Sequence, residues 1–388
     1  MEINKPTKTG ITAYKEESLM TSITYIGMDV HTTNYTLCAY NYGTQHGFAQ
    51  TQIKPDINAL EKYLSKLQEK LGKDEKLVCG YEAGCLGYSL YRQLREREYD
   101  CVILAPSTMS ASPTDNKKKN DKRDAFKIAR CLANGEYSSV YVPSDNDIAI
   151  KEYIRMRDDI KHQAKQTKQQ IIALCIRYGH IYSKTYWTNA HLAWIDSLTW
   201  TNELVKETVD EYLLHLQKLN EKIERFDKRI EELAQTDDYS EKVKCLVCFK
   251  GIKTHTALAQ IAEIGDFKRF PTADHFAAYL GLVPGQHDSS DSRKRLPITK
   301  TGNSHLRRLL TESATAFSRG KAGFKSKDLK KRQEGNSPQV IAYADKANER
   351  LRKKYIKICL RSSANVARIA VARELACFIW GMMNGKYD

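Results

Sequence analysis

The stretch that most constrains this chain is Tyr25-Ile26-Gly27-Met28-Asp29-Val30-His31, an apolar run of strand formers interrupted by one aspartate. Such a run reads as a strand at the centre of a sheet. A central strand excludes a lone carboxylate, because burying it unpaired is costly. An aspartate that survives in such a strand usually holds a cation, the alternative being an ordinary acid at the strand end. The chain supplies candidate co-ligands. Glu82 follows a second apolar run, Leu77-Val78-Cys79-Gly80-Tyr81, and Asp121 and Asp124 stand three apart where Asn120 opens a helical pattern. Positions i and i+3 share a helix face, so both carboxylates can aim at one point. Four carboxylates arriving from two strand ends and a helix suit Mg²⁺ or Mn²⁺, which take oxygen ligands. Acids are also favoured at helix starts by the helix dipole, so spacing alone leaves Asp121 and Asp124 open as ordinary surface acids.

The surrounding pattern predicts an α/β domain. Residues 1–22 are polar without a clear period and read as a flexible extension. Strands are expected at 23–30, 34–41 and about 47–53, an antiparallel meander. Asp56 reads as an N-cap for a helix whose apolar face is Leu60, Leu64, Leu67 and Leu71. A strand ending at Glu82, a helix over about 86–97 and a strand at 101–104 follow. Three antiparallel strands and then alternating helices and strands describe a mixed sheet with helices packed on it.

Charge narrows the partner. Lys plus Arg number 62 against 47 Asp plus Glu, a net charge of +15. That excess points to an anionic polymer, DNA or RNA first. Lys117, Lys118 and Lys119 close a polar stretch just before Asp121 and are candidate phosphate contacts. The ten cysteines lie mostly in apolar runs, as buried thiols do. Cys245-Leu246-Val247-Cys248 has metal-like spacing but no second pair, which argues against zinc. No signal peptide and no stretch of 18 apolar residues is present, so a cytoplasmic, nucleoid-associated protein without membrane contact is expected.

Beyond residue 145 the chain turns helical. Residues 147–178 form a long helical pattern with many Lys and Arg, and an aromatic stretch occupies 182–200. A 3-4 alternation runs through Val209, Tyr212, Leu216, Leu219, Ile223, Phe226, Ile230 and Leu233. This is a coiled-coil seam, and it fits either a hairpin within one chain or a dimerising arm. A further domain is expected from Glu241. Lys250-Gly251-Ile252-Lys253 lies between two apolar helical runs and reads as a helix-hairpin-helix-like turn able to hold a phosphate. Phe276–Pro284 leads into a polar loop over 285–292 with Ser289 and Ser290, followed by Arg293, Lys294 and Arg295. Lys300 precedes a helix start at Ser304, with Arg307 and Arg308 in its first turns. A basic loop over 319–335 and two final helices, about 337–356 and 362–383, complete the chain.

The combination and order of these motifs resemble one family. The Asp29 strand, Glu82 and the Asp121/Asp124 helix resemble the tetrad of the DEDD-type insertion-sequence transposases, the Piv-invertase-like family. Phe276–Pro284, the serine loop and Ile298–Leu310 resemble that family's second domain. The resemblance spans about 23–383. It implies a ribonuclease H/RuvC-like catalytic domain over 23–145, a helical coiled-coil region over 146–240 and a mainly α transposase domain over 241–388. It further implies Mg²⁺ on the tetrad, DNA as substrate, a structured non-coding guide RNA, and a homodimer or tetramer. A serine nucleophile within a Ser-Ser-Gly sequence is also implied. Here Ser289 falls on the second serine, while Asp288 and Ser290 replace its neighbours, so Ser290 stays open as the alternative. The expected function is a transposase or recombinase that cuts and rejoins DNA. The alternatives are a Holliday-junction resolvase-like nuclease, in which water attacks, and a non-catalytic nucleic-acid-binding protein.

Overall fold

The computed structural model describes residues 22–84, 86–109, 120–289 and 292–387. Lys117, Lys118, Lys119 and Ser290 lie outside the described residues. Contacts divide the chain into two units, Met1–Val142 and Pro143–Asp388.

The first unit is a five-stranded mixed sheet with helices on both faces. Its elements are β1 (Ile23–Val30), β2 (Tyr35–Asn41), β3 (His46–Ile53), α1 (Ile57–Leu71), β4 (Lys76–Glu82), α2 (Ser89–Glu96), β5 (Asp100–Leu104) and α3 (Asp121–Asn134). The strand order is β3-β2-β1-β4-β5. The first three strands pair antiparallel, and β4 and β5 run parallel to β1. The expected cap is present: the Asp56 carboxylate accepts from the Ala59 N–H at 3.1 Å. Leu60, Leu64 and Leu67 are buried.

Strand periodicity sorts the sheet's two faces. Ile26 and Met28 of β1, with Cys79 and Tyr81 of β4, pack into the core beneath α1 and α2. The alternate positions turn to α3, and Tyr25 and Val78 pack with Ile128 and Leu132. Asp29 and Glu82 fall on that second face by the same alternation. Two glycines let α3 lie close against it. A Cβ on Gly27 would stand 2.1 Å from the Ala125 carbonyl oxygen, and one on Gly80 would stand 2.9 Å from Leu132 Cδ2.

The second unit is mainly helical. It comprises α4 (Asp145–Arg177), α5 (Asn189–Asp196), α6 (Glu203–Leu233), α7 (Ser240–Leu246), α8 (Thr254–Ile264), α9 (Ala273–Tyr279), β6 (Pro284–Ser289), β7 (Ser292–Ile298), α10 (Ser304–Ala314), α11 (Lys327–Gln333), α12 (Pro338–Cys359) and α13 (Ala364–Met383). At 33 residues, α4 is about 50 Å long. It pairs antiparallel with α6: Tyr153 near its start stacks on Phe226, while Ile171 and Leu174 share a core with Val209. The 209–233 seam thus finds its partner within the chain. The beginning of α4 also packs on α8, whose residues Ala257–Ile264 are buried throughout. Among the described residues, no helix is long and apolar enough to cross a membrane.

Three expectations are corrected. Within the polar stretch expected to be a loop, residues 285–289 and Ser292 belong to a two-stranded ribbon of β6 and β7, with Ser289 opposite Ser292. Its polar composition masks the strands, since neither contributes an apolar stripe. The basic loop over 319–335 contains α11, whose single buried leucine, Leu329, gives no readable period. The Lys250–Gly251 turn joins α7 to α8, but it is a packing junction. Gly251 has φ 88°, a Cβ there would meet the Ser313 carbonyl oxygen at 2.3 Å, and the Lys250 N–H donates to Asn348 Oδ1 at 2.8 Å.

Candidate active site

The first unit holds a set of close-lying metal-ligand groups. Asp29 comes from the end of β1, His31 from just beyond it and Asp121 from the first turn of α3. Their ligand atoms all lie within 4.8 Å of one another. Asn120 fixes the start of α3, its side chain accepting from the Lys122 N–H at 3.1 Å. Asp124 follows one helical turn after Asp121, and its charge is felt at Asp29. Glu82 ends β4 beside Asp29, because the β1–β4 register brings Met28 opposite Tyr81 one position earlier. It is exposed and stands outside the three-residue set.

The electrostatics fit a cation. Burial pushes the Asp29 carboxyl up, the nearby His31 ring pulls it down, and the charges of Asp121 and Asp124 push it up again. The imidazole Nε2 stands 3.2 Å from Asp29 Oδ2. Crowded carboxylate oxygens with one imidazole nitrogen form a donor set for a hard or borderline divalent ion. His31 was not among the expected ligands. It follows Asp29 by two residues, just past the end of β1, and its ring reaches the Asp29 carboxylate.

In the second unit the two motifs around the serine meet through glycine contacts. Gly281 and Gly302 both have positive φ, and Cβ atoms there would come 2.3 Å from the Thr301 oxygen and 1.9 Å from the Tyr279 oxygen. The Thr299 N–H donates to the Val283 carbonyl and the Asn303 N–H to the Tyr279 carbonyl. Phe276–Pro284 and Ile298–Leu310 are thereby two sides of one junction, which carries the β6–β7 ribbon. Ser289 ends β6, and Arg293, Lys294 and Arg295 pair through the backbone with Asp288, His287 and Gln286. Lys300 is exposed beside this junction. Arg307, expected on nucleic acid, donates through one guanidinium nitrogen to the carbonyls of Leu280 and Thr301 at 2.9 and 2.8 Å and ties the junction together. Arg308 pairs with Asp158 at 2.6 Å and Glu312 at 3.1 Å.

A buried ionic network that the sequence did not reveal ties α4, α8 and α10 together. Both nitrogens of His305 face carboxylates, Nδ1 at 2.6 Å from Glu263 and Nε2 at 2.9 Å from Asp158. Both must donate, so the ring is an imidazolium. Arg155 makes a bidentate pair with Glu263 at 3.1 Å on both arms. Asn303 Nδ2 donates to the same carboxylate at 2.5 Å. Burial works to raise the Glu263 carboxyl, but His305, Arg155 and Asn303 outweigh it and hold it at about 2. The same balance brings Asp158 well below the carboxylate range, through His255, His305 and Arg308.

A ribonuclease H-like mixed sheet with clustered carboxylates, followed by a mainly helical region, is the architecture of a metal-dependent enzyme acting on nucleic acid, and the comparisons with known proteins narrow it to a DNA strand-transfer enzyme of the DEDD class. Two family models match. A DEDD transposase domain covers residues 26–178, and the Transposase IS116/IS110/IS902 family covers residues 243–328. The chain is 32% identical over 335 residues to the transposase for insertion sequence element IS1533 of Leptospira borgpetersenii, covering 85% of this chain and 95% of that one. It is 27% identical over 331 residues to a pilin gene-inverting protein of Moraxella bovis, covering 83% and 92%. It is 25% identical over 248 residues to the transposase for insertion sequence element IS1111A of Coxiella burnetii, covering 63% and 67%. The chain belongs to the IS110/IS116/IS902 transposase family, with a DEDD N-terminal domain and a transposase C-terminal domain.

Proposed function

We propose that this transposase cuts and rejoins DNA with a Mg²⁺-dependent DEDD site and a serine nucleophile, Ser289. Three parts divide the work: 23–145 for metal chemistry, 146–240 for the helical arm and 241–388 for the serine. The observation that carries the metal half is the approach of Asp29, His31 and Asp121 to within 4.8 Å. Asp29 and Asp121, with Asp124 and Glu82 beside them, would hold the ion. When bound, a divalent ion supplies Lewis-acid stabilisation of charge developing on the phosphate. Mn²⁺ suits the same donors, and His31 more so.

Ser289 would attack the scissile phosphorus. An Oγ–P bond forms and the P–O3′ bond breaks, and the proton lost by the serine matches the one gained by the departing 3′-oxygen. The phosphoserine link keeps the bond energy for rejoining. Arg293, Lys294 and Arg295, on the strand paired with Ser289, and Lys300 supply cations for the phosphate, with Lys117, Lys118 and Lys119 as further contacts. Family resemblance supports a guide RNA, with which the net charge of +15 is compatible, and resemblance supports a dimeric or tetrameric assembly.

The test of the metal half is strand cleavage of labelled element-end DNA by Asp29→Ala. Cleavage should be lost while DNA binding is kept or strengthened, since one repulsive charge is gone. Cleavage at the parental rate would discard the DEDD assignment.

A further inference from the structure

A groove of about 990 Å³ runs between α4, α6 and α10 in the second unit, and its lining includes Lys161, Lys165 and Lys168. We infer that this groove holds one strand of single-stranded DNA, its phosphates on Lys161, Lys165 and Lys168. The inference rests on the reading of the chain as a DNA strand-transfer enzyme, and it assigns a surface outside the metal site and the serine ribbon.

The first argument is charge. The groove's acids are Asp158, Asp159 and Glu312. Asp158 is consumed by Arg157, His255, His305 and Arg308, and Glu312 pairs with Arg308. Arg155 is likewise spent on Glu263. Among the described residues, none of the three lysines makes an ion pair, and Asp159 alone of these acids lacks a cationic partner. The groove therefore presents surplus positive charge to solvent.

The second argument is spacing. Positions 161, 165 and 168 are separated by four and three residues, which keeps them on one face of α4, rising about 6 and 4.5 Å along its axis. A row of cations along one helix face makes the positively charged track on which a single strand's backbone can lie.

The third argument is aromatic. Lys168 Nζ lies 5.3 Å from the Trp187 ring centre, at the edge of a cluster containing Tyr182, Tyr186, His191 and Trp194. Trp187 holds φ 64°, a costly conformation for a bulky residue, which the His191 ring secures by accepting from its N–H at 3.2 Å. Trp187, Trp194 and His191 are packed inward, while Tyr186 of the same cluster stays 38% exposed. A basic track leading to an exposed ring is the pattern of single-strand binders, where bases stack and phosphates pair. Duplex DNA would present no free base faces to the cluster.

The experiment measures fluorescence anisotropy of the full chain with a mixed-sequence DNA oligonucleotide, an RNA of the same sequence and the DNA duplex, across a salt series. The variants are Lys161→Glu with Lys165→Glu, the neutral pair Lys161→Gln with Lys165→Gln, and a matched control on α1, Lys66→Glu with Lys70→Glu. All four lysines are exposed, and far-ultraviolet circular dichroism checks each fold. The groove variants should lose roughly tenfold or more in affinity for the single strand, and the salt slope should flatten by about 1.4, or 0.7 per lost phosphate contact. The control should match the parent. If the charge-reversal pair does not fold, the glutamine pair decides. An unchanged slope, an equal loss in the control, or a loss confined to RNA or duplex overturns the inference. Mn²⁺ titration of the same proteins separates it from the catalytic reading. Groove variants should keep parental metal affinity, whereas Asp29→Ala should lose metal and keep its salt slope.

Discussion

The α-carbon of Gly27 lies so close under the carbonyl of Ala125 that a methyl group on it would come 2.1 Å from that oxygen. This contact lets α3 sit against β1 and brings Asp121 to Asp29. Gly27→Ala should push α3 away and destabilise the first unit by about 1–3 kcal/mol, the usual cost of overpacking. Metal affinity should fall with it. Thermal unfolding and Mn²⁺ titration check both, and a variant with parental melting and affinity would show that α3 docks without this contact.

The metal site predicts a shared phenotype. Glu82→Ala, Asp121→Ala and Asp124→Ala should each suppress cleavage as Asp29→Ala does, because a hard cation needs its carboxylate shell. Glu82 and Asp124 both stand outside the closest set, so their losses should be milder in Mn²⁺ affinity than those of Asp29 and Asp121. Cleavage rates and metal titrations of the four variants give the order directly.

Leu219 is 3% exposed in the core between α4 and α6. Leu219→Ala should cost about 2–5 kcal/mol, as large-to-small core changes do. Leu219→Lys should cost more and unravel the arm in any oligomeric state. Helicity and mass in solution, measured together, distinguish unfolding from lost self-association. A folded Leu219→Lys variant would contradict the intrachain packing.

The His305 network makes stability depend on pH in a set direction. Burial works to lower the His305 ring, but Asp158 and Glu263 outweigh it and raise its pKa. A raised pKa means that the imidazolium stabilises the fold fully below about 6.5 and that this contribution is lost as pH rises through the higher folded value. Glu263, held at about 2, acts in the other sense: its contribution is present above about 4.5 and lost as pH falls toward 2. Stability should therefore decline on the alkaline side, and His305→Gln should remove that decline. His305→Ala leaves two buried carboxylates short of a partner and should cost about 3–5 kcal/mol. Denaturant unfolding from pH 5 to 9 is the measurement, and parallel curves for parent and His305→Gln would sink this account.

Local signals were legible in the sequence where they act locally. Asp56 and Asn303 cap the helices expected of them, and the alternation around Asp29 places it on the face that meets α3. The heptad seam was visible, but its partner was not, since Leu219 packs equally well on a second copy or on α4. The β6–β7 ribbon read as loop because paired polar strands show no apolar period. The bonds from Arg307 to the Leu280 and Thr301 carbonyls were not legible, because these acceptors meet it only after folding. The Asp158–His305–Glu263 network was illegible for the same reason: its members are isolated single residues far apart in the chain.

The most direct test of the serine mechanism is a denaturing gel of labelled element-end DNA incubated with parent, Ser289→Ala, Ser290→Ala and the double variant. Parent should give a protein–DNA covalent adduct and recombinant product. Ser289→Ala should eliminate both while retaining parental Mn²⁺ affinity, and Ser290→Ala should be milder. A full-strength adduct from Ser289→Ala would exclude Ser289 as nucleophile, and the same result from the double variant would contradict the serine mechanism altogether.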